Sequence, residues 1–372
     1  MKTFYVKNNK NVGIGTLRNC INNANKYKYS TIIIKVNKLN ISTVLPTILK
    51  NITITNDENN PIIYFNKNKN LFNNKGTLTV TNIVFNNNSN GIVLNDQKNI
   101  TFNSCYFYNN KFNGCYLNNS QNIIFNTCYF NNNKYNGCYL NKSKHITFNT
   151  CSFDNNKYCG NHLNKTQNVI FNTCFLYNNE YDGTKLTNTN NTTFNNCNIY
   201  NNFINGMYIE KSSNTTITNC IIGSYLTSYI NYQGNYYSGI FSKNNTNITI
   251  NNSNISGNNV TNNNDYKYEL VFIYTTNIQI TNSKIATDSG GAFSSTTIYS
   301  KGSVYNENKY NYNLNLLISN SIINSTISGI TTNSYLEYLY YKNTVPNINN
   351  QDNYFLYPNV NYLLYDGTNF IN

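Results

Sequence analysis

Residues 99–121 read NITFNSCYFYNNKFNGCYLNNSQ, and residues 122–144 read NIIFNTCYFNNNKYNGCYLNKSK. Two more copies follow without insertion or deletion, HITFNTCSFDNNKYCGNHLNKTQ from His145 and NVIFNTCFLYNNEYDGTKLTNTN from Asn168. The 23-residue step carries one glycine column, Gly91, Gly114, Gly137, Gly160, Gly183 and Gly206. It also carries one cysteine column, Cys105, Cys128, Cys151, Cys174, Cys197 and Cys220. A fixed period of this length is the mark of stacked units that each bury a face on their neighbours. Within one copy, Ile100 and Phe102 flank Thr101, Cys105 and Phe107 flank Tyr106, and Cys115 and Leu117 flank Tyr116. That alternation is the period of a half-buried strand, and no 3.6-residue pattern competes with it.

Three short strands per step, paired in register from one step to the next, make an all-β fold, a parallel β-helix. Like residues then stack on like. Phe102, Phe125, Phe148, Phe171 and Phe194 form one inward column, and Leu94, Leu117, Leu140, Leu163, Leu186 and Ile209 form another. Each such side chain contributes roughly 1.5–3 kcal/mol on burial. The glycine column predicts either a corner with positive φ or a close backbone approach. The pairs Asn109–Asn110, Asn132–Asn133 and Asn155–Asn156 predict a corner where asparagine takes the left-handed region.

Residues 13–25, GIGTLRNCINNAN, are followed by Thr31, Ile32, Ile33 and Ile34. This stretch resembles the G-x-G-[ST]-L-R-x-A-I-x-x-A-N opening of right-handed parallel β-helix proteins of the pectin-lyase-like superfamily, adhesin-like and surface-repeat types among them. The resemblance implies a right-handed, single-stranded solenoid. The residues themselves predict a capping helix over 16–25. Thr16 is its N-cap, and Leu17, Cys20, Ile21 and Ala24 share one face. Arg18 reads as a solvated residue of that cap. The expected organisation is a cap over 1–50, a β-helix over 51–344 and a tail over 345–372. Within the β-helix, regular coils run over 76–213 and coils with insertions over 214–344.

After Cys220 the cysteine column continues as Ser253, Ser283 and Ser321, at spacings of 33, 30 and 38 residues. The first two insertions enter between the second and third strands of a coil. They carry Tyr225, Tyr229, Tyr232, Tyr236 and Tyr237, then Asp265, Tyr266 and Tyr268. Insertions in a solenoid gather on one side and often bind. Tyrosine gives them flat apolar area plus a hydroxyl, so these eight residues are the candidate ligand-binding set.

The chain has 372 residues and a formal net charge of +13, from 26 lysines and the single Arg18. Scattered lysine without arginine argues against base-specific nucleic-acid readout. No run of 18 apolar residues and no apolar leader occurs, which predicts neither a membrane span nor a signal peptide and favours an intracellular or virion-associated location. The ten cysteines, seven of them at repeating core positions or on a helix face, then read as reduced thiols. Cys159 stands off the ladders beside a corner, where an exposed thiol is expected.

The chemistry-bearing residues are few. Asp154, Glu180 and Asp182 are the best carboxylate group among 14, and nothing in their spacing marks a catalytic pair. His145 replaces asparagine in the column of Asn99 and Asn122, while His162 falls in the column of Tyr116 and Tyr139, so the two do not make a metal site. No catalytic residue, metal centre or cofactor is expected. The favoured function is non-enzymatic, whether structural, adhesive or glycan-binding, as a virion or surface component with glycans or other surface proteins as partners. The alternatives are a polysaccharide-active lyase or hydrolase and a weak binder of single-stranded nucleic acid.

Overall fold

The computed structural model describes residues 1–56, 60–65, 67, 69–226, 231–232, 234–258, 268–273 and 275–286, and beyond these the backbone of short strands within 302–371. The chain falls into two compact units, Met1–Phe175 and Leu176–Asn372. In each, three parallel sheets are built by strands that return once per coil.

In the first unit the first sheet orders Lys2–Val6, Tyr29–Ile34, Asn51–Asn56, Thr77–Thr81, Lys98–Asn103, Gln121–Asn126, Lys144–Asn149 and Gln167–Asn172. The second contains Tyr106–Tyr108, Tyr129–Asn131 and Ser152–Asp154, and the third Ile92–Asn95, Cys115–Asn118, Cys138–Asn141 and Asn161–Asn164. Register is like on like, as the columns require: Phe125 pairs with Phe148, and Leu117 with Leu140. The second unit repeats the scheme with Thr184–Thr187, Met207–Glu210, Ile240–Lys243, Tyr268–Ile273 and Gly302–Glu307 in its third sheet.

The core of the first unit is two phenylalanine ladders. Phe102, Phe125, Phe148 and Phe171 stack with centroids 4.9–5.1 Å apart. Phe85, Phe107, Phe130 and Phe153 stack at 4.8–5.0 Å. The ladders meet edge to face, as at Phe125 and Phe130, 5.4 Å apart at 74°, the arrangement that ring quadrupoles favour. All ten cysteines are buried free thiols. Burial pushes the Cys128 and Cys151 thiols well up, which keeps them neutral and unreactive. Cys159 is fully buried too, contrary to the exposed thiol expected of it. It occupies the column of Asn113 and Asn136, and its backbone N–H donates to Asn136 Oδ1 at 3.3 Å.

Each asparagine pair splits into two roles. Asn109, Asn132 and Asn155 take φ of 54–55°. Their partners Asn110, Asn133 and Asn156 turn inward and are wholly buried. The Nδ2 of Asn110 donates to Asn133 Oδ1 at 2.9 Å, and that of Asn133 to Asn156 Oδ1 at 3.0 Å. The same oxygens also accept the backbone N–H of Asn110 and Asn133, both at 3.1 Å. The glycine column serves this ladder through close approach, with no positive φ in the column. A Cβ on Gly114 would lie 2.6 Å from Gly137 O and 2.8 Å from Asn133 Nδ2.

Positive φ instead recurs at non-glycine corners, and one such column reads Ser104, Thr127, Thr150, Thr173, Asn196 and Asn219. Asparagine tolerates that region and β-branched threonine does not. Replacing exposed Thr127 or Thr150 (φ of 51° and 52°) by asparagine should therefore stabilise the protein by about 1 kcal/mol each. A thermal melt that fails to rise for either variant would contradict this.

The N-terminal helix is Leu17–Ala24, with Thr16 as N-cap accepting from the Asn19 N–H and the expected face buried. Arg18 is not a solvated residue. Its guanidinium is half-buried and donates to Asn11 O, Val44 O, Thr43 O and Thr43 Oγ1, which pins two loops to the helix. In the second unit the serine column replaces cysteine as expected. Cys220 N–H donates to Ser253 Oγ and Ser253 N–H to Ser283 Oγ, both at 3.1 Å. Ser321 begins a strand of the second sheet, Ser321–Ile323.

Candidate functional site

In the third sheet of the first unit the inward Cys115, Leu117, Cys138 and Leu140 leave Tyr116 and Tyr139 facing outward. His162 continues that column on the next strand, its ring 4.9 Å from Tyr139, as the alignment predicts. Val93 precedes it, in register with Tyr116. Four residues before Tyr116, Tyr139 and His162, the corner ahead of the glycine carries Phe112, Tyr135 and Tyr158. Phe112 is 44% exposed and Tyr135 50%.

The two aromatic columns enclose a groove of about 560 Å³, within the range of ligand sites. Val93, Tyr116, Tyr139 and His162 form its floor, and Phe112, Tyr135 and Tyr158 one wall. Asn90, Asn113, Asn136 and Asn95 complete the lining. Neighbouring amides hold one another in place: Asn113 Nδ2 donates to Asn90 Oδ1 and Asn136 Nδ2 to Asn113 Oδ1, both at 3.0 Å. Burial raises the Tyr116 pKa, helped by Tyr139, so its hydroxyl stays neutral. The lining contains no lysine, arginine or carboxylate.

The groove thus lies on the regular coils, where sequence reading sees scaffold. The signal was present in the repeat itself, since aromatic residues recur every 23 positions both four residues ahead of the outward tyrosine and at that tyrosine.

The eight tyrosine and aspartate candidates belong to the second unit. Tyr225 and Tyr232 pair across a small antiparallel hairpin, Tyr225–Leu226 with Asn231–Tyr232. This hairpin lies between the second strand Ile221–Gly223 and the third strand Ile240–Lys243, where the insertion is expected. Tyr236 and Tyr237 are half-buried. The Tyr236 ring lies 4.8 Å from that of Phe203 and tilted by 35°, and the Tyr237 N–H donates to Ile204 O at 2.8 Å. Tyr268 opens a third-sheet strand. Tyr229, Asp265 and Tyr266 lie outside the described residues.

Asp154 and Asp182 are held by hydrogen bonds to neighbouring side chains and backbone. Asp154 accepts from Ser152 Oγ and Asn155 Nδ2 in the second sheet, and burial raises its pKa. Glu180 is exposed. Asp182 is buried in the second unit and accepts from Asn205 N and Nδ2 at 3.1 and 2.9 Å. Burial pushes its pKa to about 6 against those bonds and against Lys185. Lys185 Nζ lies 5.0 Å from the centroid of the Tyr208 ring, and burial and Glu210 push the Tyr208 hydroxyl up to about 12. Among the described residues no group of His, Cys, Asp and Glu could hold a metal ion, and no helix is long and apolar enough to cross a membrane.

Residues 71–222 and 140–259, together half of the chain, match the family described as "Right handed beta helix region". The chain belongs to the right-handed β-helix family. The solenoid is accordingly right-handed, as the opening at residues 13–25 implies. No curated protein matches this β-helix by sequence.

Solved structures share the fold at low identity. ORF18 of Geobacillus virus E2 is 12% identical, with a TM-score of 0.56 over 75% of this chain and 60% of that one. The A-module of mannuronan C-5 epimerase AlgE6 from Azotobacter vinelandii is 14% identical, with a TM-score of 0.56 over 92% of this chain and 100% of that one. Tailspike protein 3 of bacteriophage CBA120 is 11% identical, with a TM-score of 0.54 over 92% of this chain and 60% of that one. The β-helix therefore spans only about 60% of the length of the two viral proteins.

Proposed function

We propose that this β-helix is a non-enzymatic protein with a structural and adhesive role on a virion or other surface, and that it binds glycans in the groove over residues 90–162. The groove carries the reading: two aromatic columns converge on a concave site whose lining contains no carboxylate to act as a catalytic acid. Two similar structures named as viral or tailspike proteins support the surface setting.

Glycan-array binding paired with a reducing-end release assay tests it. Binding without release is the expected result. Truncating Tyr139 to alanine should weaken binding at least about tenfold, the loss of one aromatic platform.

The rival, a polysaccharide lyase or hydrolase, draws its support from the second unit, where Asp182 titrates near neutrality close to Lys185 and Tyr208. Release of reducing ends that disappears in Asp182→Asn would establish the rival and overturn the proposal.

A further inference from the structure

We infer that the ligand of the groove is an uncharged, linear glycan lying along the direction in which the coils stack, with pyranose faces against Tyr116, Tyr139 and His162. This deepens the glycan-binding reading and rests on it.

The first observation is charge. No ammonium, guanidinium or carboxylate lines the groove, and burial keeps the Tyr116 hydroxyl neutral. The lysines nearest the wall in sequence, Lys111, Lys134 and Lys157, are exposed. Ion pairs at such positions contribute at most about 1 kcal/mol and are screened by salt. Affinity must come instead from ring faces and hydroxyl contacts. A neutral pyranose supplies both, since it carries an apolar C–H face and a rim of hydroxyls.

The second observation is ring geometry. Tyr116 and Tyr139 are tilted by 35° and Tyr139 and His162 by 38°; on the wall, Phe112 and Tyr135 are tilted by 54°. Tilted rings leave part of each face uncovered by the neighbour. On the outer face of the second sheet Tyr106 and Tyr129 lie nearly parallel, at 8° and 4.8 Å, and cover each other. Part of the Tyr116 and Tyr139 ring faces is thus left uncovered by the neighbouring ring, although Tyr135 and Tyr158 stack at 28° on the wall.

The third observation is periodicity. Ring-bearing floor and wall repeat over three coils, at the strand spacing of about 4.8 Å, so the stretch from Phe112 to His162 offers about 10 Å of similar surface. A surface that repeats along a line matches a ligand that repeats along a line. The amide ladder through Asn90, Asn113 and Asn136 keeps the site rigid, which lowers the ordering cost of binding.

The test is calorimetric titration of the full chain at pH 8, above the ordinary imidazole range, in low and high salt. One series uses β-1,4-linked glucose and N-acetylglucosamine oligomers of increasing length, the other oligogalacturonate and alginate oligomers. The neutral series should bind, with affinity that climbs with length, levels off once the three ring-bearing coils are filled and ignores salt. Tyr139→Ala should cut that affinity about tenfold or more, while the outer-face variant Tyr106→Ala keeps it. Binding confined to the acidic series and abolished by salt would overturn the inference and leave the glycan-binding reading standing. Neutral binding that survives Tyr139→Ala would place the ligand elsewhere and overturn the inference as well. Failure of every oligomer in both series would take the glycan-binding reading down with it.

Discussion

Replacing Asn133 by alanine should destabilise the first unit by about 4 kcal/mol or more, among the largest effects available to one substitution. Asn133 is completely buried. Its Oδ1 accepts the N–H and Nδ2 of Asn110, and its Nδ2 donates to Phe107 O at 2.9 Å and to Asn156 Oδ1. Alanine leaves those groups without the side-chain partner, and each buried polar group so stranded costs about 1–3 kcal/mol. A small void adds to the loss. The control is Asn126→Ala, in the half-buried outer ladder where Nδ2 donates to Asn103 Oδ1 at 2.8 Å. Water can replace that bond, so the control should lose less than about 1 kcal/mol. Urea unfolding of both variants decides: equal midpoints for the two would refute the role assigned to the buried ladder.

The second large effect has the opposite sign. Asp182→Asn should stabilise the second unit at pH 7.5 by up to about 3 kcal/mol, and hardly at all near pH 4. Folding raises the Asp182 pKa from 3.8 to about 6. Between those values the folded chain holds a proton that the unfolded chain has released, so stability falls as pH rises through the window. Above pH 6 the penalty is complete, and at about 1.4 kcal/mol per unit it amounts to roughly 3 kcal/mol. Asparagine keeps the oxygen that accepts from Asn205 N and Nδ2 and carries no charge. It also restores the residue found at Asn113 and Asn136 in the same column. A stabilisation of equal size at pH 4 and pH 7.5 would show that desolvation of the carboxylate is not the cause.

The columns were legible because parallel coils bring each residue onto its own copy, so periodicity in the chain becomes adjacency in space. The two phenylalanine ladders, the serine continuation of the cysteine column and the contact of His162 with Tyr139 follow from that rule alone. What the rule leaves open is direction. Asn109 and Asn110 look equivalent in the chain, and only the backbone decides that one takes the left-handed corner while the other turns inward. The glycine column is similar, for its purpose is room for a neighbouring amide and carbonyl, which depends on the next coil. Arg18 is a third case, since its partners at Thr43 and Val44 lie 25 and 26 residues away in a segment without repeats.

The groove was missed for the same reason. Alternation shows that Tyr116 faces outward but not that the corner bearing Phe112 stands beside it. The tyrosine-bearing insertion drew attention instead because it departs from the repeat. Yet at Tyr236 the insertion only sets a ring against Phe203, in the column of Lys111 and Lys134 and not in that of Phe112.

The buried asparagine ladder also makes the coil a unit of inheritance. From Asn110 to Asn156 every rung joins a residue to its own copy 23 positions on, so gaining or losing one such coil leaves all these bonds closed. Glu269 is where that freedom ends. Its carboxylate receives the N–H and Nδ2 of Asn258 and has no amide hydrogen to pass to a following coil. Among the coils from Asn110 to Asn156, length can therefore change in whole-coil steps without opening an interior bond, whereas at Glu269 the run of amides ends while the sheet continues to Gly302–Glu307.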